Sequence, residues 1–138
     1  MSARIAKAGV WFGLVLLLAG CGTSIESSRL NAPPHALRQR APMQVEVFSQ
    51  KAPERPFVEV YMIESQQQSG WSLDGQSEIV AAMREKAGRL GCDGLLLTGS
   101  NDATRVTGGN GSVSSHTLKG YRGVCIVYRD APGTAVTP

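Results

Sequence analysis

A helical stripe that stops at a glycine and runs straight into three leucines limits what this chain can fold into. Ile79, Met83, Ala87 and Leu90 recur at i, i+4, i+8 and i+11, which places them on one face of a helix. Asp74 or Ser77 can cap its start, and Gly91 suits the left-handed residue just past its end. Arg84, Glu85, Lys86 and Arg89 lie away from the stripe, and the late cations suit the helix C-terminus. Gly94-Leu95-Leu96-Leu97-Thr98 follows at once. An unbroken apolar run of this length reads as a strand buried on both faces, hence a central one. A one-sided helix feeding a two-sided strand requires a sheet for the helix to cover.

Other segments supply that sheet. Gln44-Val45-Glu46-Val47-Phe48 alternates polar and apolar, as a half-buried strand does. Pro53-Glu54-Arg55-Pro56 interrupts pairing. Phe57 to Glu64 is the next strand, and plain alternation sends Val58, Val60 and Met62 one way and Tyr61 and Ile63 the other. Ser65 to Leu73 is polar and reads as a loop. Tyr121 to Arg129 is the last strand, with Val124, Ile126 and Tyr128 opposite Cys125 and Val127. Between the last two strands lies Gly99 to Gly120, where Asn110-Gly111 is a strong hairpin signal. The stretch has few apolar anchors, so a projecting ribbon and a disordered loop both remain open. The expectation is an α+β domain over 44–130: a small, mainly antiparallel sheet, β-β-α-β-β with a ribbon-like insertion, and one helix on one face. A disordered tail is expected over 131–138.

The amino terminus has a different character. Arg4 and Lys7 form a positive start, an apolar run extends from Ala8 to Leu18, and the small residues Ala19 and Gly20 precede Cys21. The run is short of the roughly 20 residues that span a bilayer and fits a secretory signal peptide over 1–20. Leu18-Ala19-Gly20-Cys21 resembles the lipobox of bacterial lipoproteins. That resemblance implies diacylglycerol on the Cys21 sulfur and cleavage between Gly20 and Cys21 by signal peptidase II. A further acyl chain on the freed amine is also implied, and two or more chains make the anchoring stable. An uncleaved anchor, or an ordinary signal followed by a chance cysteine, is the competing reading. Gly22 is not the aspartate that retains such proteins in the inner membrane. The implied location is the outer membrane facing the periplasm, or the plasma membrane in a host that has only one.

From Gly22 to Met43 the chain has no hydrophobic period and is rich in Ser and Pro. Such a stretch gains too little burial to offset its ordering entropy. The lipidated residue and this segment, 21–43, are therefore expected to form a flexible, disordered linker, which could extend to about 70 Å. Its residues Arg29, His35, Arg38 and Arg40 make it basic, which suits either a solvated linker or contact with anionic headgroups.

Charge excludes one class of partner. Loss of Arg4 and Lys7 with the signal takes the 14 basic residues to 12 against 11 acidic, a net charge of +1 in place of +3. The remaining cations are scattered, so no nucleic-acid footprint is present.

Candidate site residues are few. Cys92 and Cys125 are the only other cysteines. An oxidising compartment permits a disulfide between them, worth roughly 3–4 kcal/mol for a loop of this size. If Leu96 faces Cys125, however, Cys92 lies too far along the strand for an unstrained bond. A disulfide and two buried thiols both stay open. A metal site would have neither a CxxC motif nor more than two histidines to draw on, and no metal or other cofactor is expected. His35 and His116 fall in polar stretches with no rigid neighbour to orient them. Asp93 and Asp102 flank the leucine strand, and Asp93 suits the turn after the helix better than acid–base work. Gly108-Gly109-Asn110-Gly111 lacks the lysine and following hydroxyl of a phosphate loop. Trp71 precedes the helix and would suit a partner surface if exposed.

Val45-Glu46-Val47-Phe48, Pro56-Phe57-Val58-Glu59-Val60, the run Ala87 to Leu97 and Gly123-Val124-Cys125-Ile126 together resemble the domain of the Rcs envelope-stress sensor lipoprotein and its relatives. The resemblance spans Val45 to Tyr128. It implies a lipid-anchored, non-enzymatic module that signals by touching other envelope proteins. That family's domain carries four cysteines in two disulfides; this chain has two, of which Cys125 matches. The expectation is a protein-interaction or sensor module anchored through Cys21, with an envelope protein as partner. The alternative is a periplasmic lipoprotein that binds a small molecule or a metal. An enzyme would need a triad or carboxylate pair that the sequence does not place.

Overall fold

The computed structural model describes residues 22–67 and 75–130. The expected signal peptide over 1–20, Cys21, Trp71, Asp74 and the expected tail over 131–138 lie outside them. The fold is α+β, as the sequence predicts. Seven strands, β1 (Thr23–Arg29), β2 (Glu46–Phe48), β3 (Phe57–Gln67), β4 (Gly94–Ser100), β5 (Ala103–Gly109), β6 (Ser112–Leu118) and β7 (Gly120–Tyr128), accompany one helix, α1 (Gln76–Leu90). Five strands form the main sheet in the order β1-β3-β7-β4-β2, and β5 and β6 pair by themselves. All pairings are antiparallel except β2 with β4.

The helix behaves largely as its stripe dictates. Ile79, Met83 and Ala87 are buried, and Gly91 takes the left-handed conformation with φ of 85°. The Gly91 and Cys92 N–H groups close the last turn onto Gly88 and Ala87 carbonyls, which satisfies acceptors that a helix end leaves open. The start differs from expectation: Gly75 is the N-cap residue, and no side chain caps it. Arg84, off the core stripe, donates from Nε to the Val45 carbonyl at 2.8 Å and so holds the approach to β2 against the helix.

Two strand expectations are corrected. The central strand is β7, whose residues Gly123 to Tyr128 are buried on both faces, while the leucine strand β4 lies between it and the three-residue β2. In β3, a bulge between Glu59 and Tyr61 breaks the alternation. The extra residue shifts the period, so Ile63 joins Val60 in the helix-facing core, where strict alternation put them on opposite faces.

The expected linker is the larger correction. Residues 22–43 are mostly folded onto the domain. Thr23–Arg29 pairs with β3 over seven consecutive residues, from Thr23 opposite Gln67 to Arg29 opposite Tyr61. The chain then crosses the far end of the sheet as a strap. Asn31 Nδ2 donates to the Glu59 carbonyl at 2.8 Å, a His35 ring nitrogen lies 3.2 Å from the Tyr128 carbonyl, and the Arg40 N–H donates to the Gly88 carbonyl at 2.8 Å. Edge-strand pairing needs no hydrophobic period, because its backbone bonds do not depend on side-chain type. Ile25 and Leu37 supply the apolar contact that remains, packing at the margin of the core.

Candidate functional site

The two cysteines form a disulfide, Cys92–Cys125, with Cα atoms 5.6 Å apart. The register concern is resolved by two facts. Leu95, not Leu96, faces Cys125, and Cys92 precedes β4 at the turn after the helix. It reaches Cys125 from the helix side instead of along the ladder. Both cysteines are fully buried within the core.

Gly99 to Gly120 resolves into a hairpin. β5 and β6 meet at a two-residue turn, with Asn110 at φ 49° and Gly111 at φ 82°. Positive φ at both central residues is the type I′ geometry that Asn-Gly favours. Leu118 is buried, and every other ribbon residue is exposed. Asp102 fastens the base: Oδ1 accepts the Gly120 N–H at 3.2 Å and Oδ2 accepts Lys119 Nζ at 3.0 Å. These bonds, the backbone one first, hold the Asp102 carboxyl below its ordinary pKa. His116 stands opposite Arg105 in the ribbon, far in sequence and structure from the strap that holds His35.

A concave polar cluster lies at the other end of the sheet, where the strap passes the C-terminal end of α1. A cavity of about 130 Å³ is lined by Arg40, Gln44, Glu46, Arg55, Asp93, Tyr128 and Asp130. Asp93 is its centre. Oδ1 pairs with Arg40 at 2.5 Å, and Oδ2 accepts the Tyr128 N–H at 2.7 Å. The turn role expected for Asp93 therefore extends to joining strap, β4 and β7. Tyr128 donates its hydroxyl to Glu46 at 3.0 Å, and the Arg55 guanidinium lies 4.3 Å from its ring centroid. Burial and the Glu46 carboxylate push the Tyr128 phenol up to about 12. A phenol so held keeps its proton at neutral pH and serves as a donor, not a base. Arg40 pairs with Asp93 and Arg55 with Asp130, while Arg40 Nε is buried without a hydrogen-bond partner among the described residues, so the pairs join chain segments across the end of the sheet.

Sequence reasoning missed this cluster because its members come from the strap, β2 and the residues just before it, the loop before β3, the turn before β4, and the end of β7. No short spacing unites them. The one available signal was Asp93 beside the helix terminus.

Among the described residues, no three His, Cys, Asp or Glu side chains gather as a metal site, and no helix is long and apolar enough to cross a membrane. Trp71 and Cys21, the predicted partner-surface and lipidation residues, fall outside the described residues. β1 nevertheless starts two positions after Cys21, and β3 ends at Gln67, opposite Thr23.

No family model matches the chain, and no curated protein matches it. Among solved structures, the chain is similar to a Francisella virulence factor, FvfA, crystallised in an orthorhombic form. The identity is 14%, with 78% of this chain and 99% of that chain covered and a TM-score of 0.38. Likeness at that level carries no argument about the site.

Proposed function

We propose that this chain is a bacterial lipoprotein, cleaved between Gly20 and Cys21 and lipidated on Cys21, whose domain serves the cell envelope as a protein-interaction or sensor module. The observation that carries the reading is the order of parts at the amino terminus: two cations, an apolar run, and Leu18-Ala19-Gly20-Cys21. Small residues at 19 and 20 admit the peptidase, and a thiol is the group that accepts diacylglycerol. The buried Cys92–Cys125 disulfide supports an oxidising compartment such as the periplasm. Contact instead of catalysis fits the way the Asp93 cluster uses its charges within the fold. The resemblance to the Rcs sensor lipoprotein points the same way, toward an envelope protein as partner.

Membrane fractionation with intact-mass measurement, on wild type and Cys21→Ala, tests the first half. A membrane-bound wild type that begins at Cys21 and carries the acyl mass is expected, with an unacylated, unprocessed or released variant. A wild type without acyl mass overturns the reading. Proximity cross-linking in cells tests the second half. Defined envelope proteins captured only when Cys21 is present are expected; a membrane-bound wild type that captures nothing specific ends the interaction reading.

A further inference from the structure

We infer that the domain rests directly on the bilayer that holds the Cys21 acyl chains, with the Thr23, Gln67 and Lys119 end of the sheet as its membrane-facing surface and the β5–β6 ribbon in the headgroup layer. The inference rests on the reading of Cys21 as the lipidated residue.

The argument begins with chain length. β1 is paired in register from Thr23 onward, so only Gly22 separates the lipidated residue from the sheet. Two residue steps cover at most about 7 Å. The long linker expected from composition is thus replaced by almost no slack at all.

The topology then decides which end is held. Gln67 stands opposite Thr23, its N–H donates to the Lys119 carbonyl, and its Oε1 accepts the Lys119 N–H, both at 2.9 Å. Asn101, where β4 ends, donates its N–H to the Gly120 carbonyl at 2.8 Å. The start of β1 and the root of the ribbon are therefore one contiguous surface.

Its chemistry suits lipid headgroups. No Asp or Glu occurs between Ala103 and Leu118, and Asp102 at the root is neutralised by Lys119. Cross-strand pairing puts Arg105 and His116 on one face of the ribbon. Val106 and Val113, which are 63% and 76% exposed, share the other face. A carboxylate-free ribbon with two exposed valines on one face and Arg105 on the other fits an interfacial, anionic layer. The Arg40–Asp93 cluster then becomes the distal pole, about 35 Å away along the eleven residues of β3. A partner engaging that pole must come within this distance of the same membrane.

The test uses the full mature chain, extracted from membranes and isotope-labelled, in nanodiscs of phosphatidylethanolamine and phosphatidylglycerol that contain a paramagnetic headgroup lipid. Amide signals of Gln67, Lys119, Val106 and Val113 are expected to lose most of their intensity, while those of Glu46, Asp93 and Tyr128 keep theirs. A flat or reversed gradient in a chain whose mass confirms the lipid overturns the inference and leaves the lipoprotein reading standing. Losses at Gln67 and Lys119 without losses at Val106 and Val113 overturn the headgroup role of the ribbon and make it an arm for a protein partner. A chain with unmodified Cys21 overturns both readings together.

Discussion

Arg40 reaches from the strap to Asp93 with 2.5 Å between guanidinium and carboxylate, and the second carboxylate oxygen binds the Tyr128 N–H. One nearly buried acid thus joins a segment that reads as linker to the central strand of the sheet. The arrangement explains why the residues between β1 and β2 are fixed despite their composition.

Removal of either partner tests that role. Arg40→Met leaves Asp93 without its cation in a site that is 8% exposed, while Arg40 itself is 26% exposed. A loss of about 1–3 kcal/mol is expected, between the values for surface and buried pairs. Asp93→Ala should cost more, since it also orphans the Tyr128 N–H. Urea midpoints of both single variants and the double variant give the coupling; additive losses would mean that the pair does not act as a unit.

The strap also depends on close approach to the helix. A Cβ at Gly88 would stand 2.6 Å from the Arg40 carbonyl oxygen, and one at Gly91 2.8 Å from Leu37 Cβ. Gly88→Ala is expected to destabilise by about 1–3 kcal/mol and to abolish hydrogen-exchange protection of the Arg40 amide. Gly91→Ala adds the left-handed backbone cost of about 1–2 kcal/mol. Retained protection at Arg40 in Gly88→Ala would show that the strap does not need this contact.

Cys92 and Cys125 close a loop with a sequence separation of 33, inside the core. Replacing both with Ala should lower stability by roughly 3–4 kcal/mol in the chain-entropy account. Because both are fully buried, the folded wild type should resist thiol reductants until it unfolds. Rapid reduction under native conditions, read by alkylation and mass, would contradict that burial.

Tyr128 gives a pH signature. Its phenol is pushed up to about 12 from the usual 10.0 by burial and by Glu46. The unfolded chain therefore releases this proton first as pH rises. The stabilisation is fully present below pH 10 and is lost as pH climbs toward 12. A tyrosinate absorbance titration should show one late ionisation that Tyr128→Phe removes. A titration with no late step would contradict the hydrogen bond to Glu46.

The ribbon makes no close packing with the sheet beyond its root, so its turn should be separable from global stability. Gly111→Val forces a β-branched residue to φ 82°. Hydrogen-exchange protection of Thr107 and Ser114 should fall sharply, with the urea midpoint nearly unchanged. A large shift in that midpoint would mean that the ribbon folds as one unit with the domain. Acid should also loosen the root: Asp102 titrates below its ordinary value, so its hold on Lys119 and Gly120 is lost as pH falls through that range.

The sequence by itself determined the helix, most of its buried stripe and the glycine that ends it, because each depends on residues within a few positions; Asn110-Gly111 signalled a turn but left a ribbon and a disordered loop both open. It also located most of the strands that build the α+β sheet, whose burial leaves a short-range hydrophobic pattern. It could not reveal the bulge in β3, which arises from how β3 meets β7 and carries no residue signature. Nor could it show that Thr23–Arg29 is a strand, that Cys92 approaches Cys125 from the helix side, or that Asp93 gathers Arg40 and Tyr128. These features join distant parts of the chain through backbone pairing and single polar contacts, and neither leaves a periodic trace. Tertiary structure decided them because a polar segment with no core of its own can still be fixed when a sheet edge and a buried acid supply its hydrogen bonds.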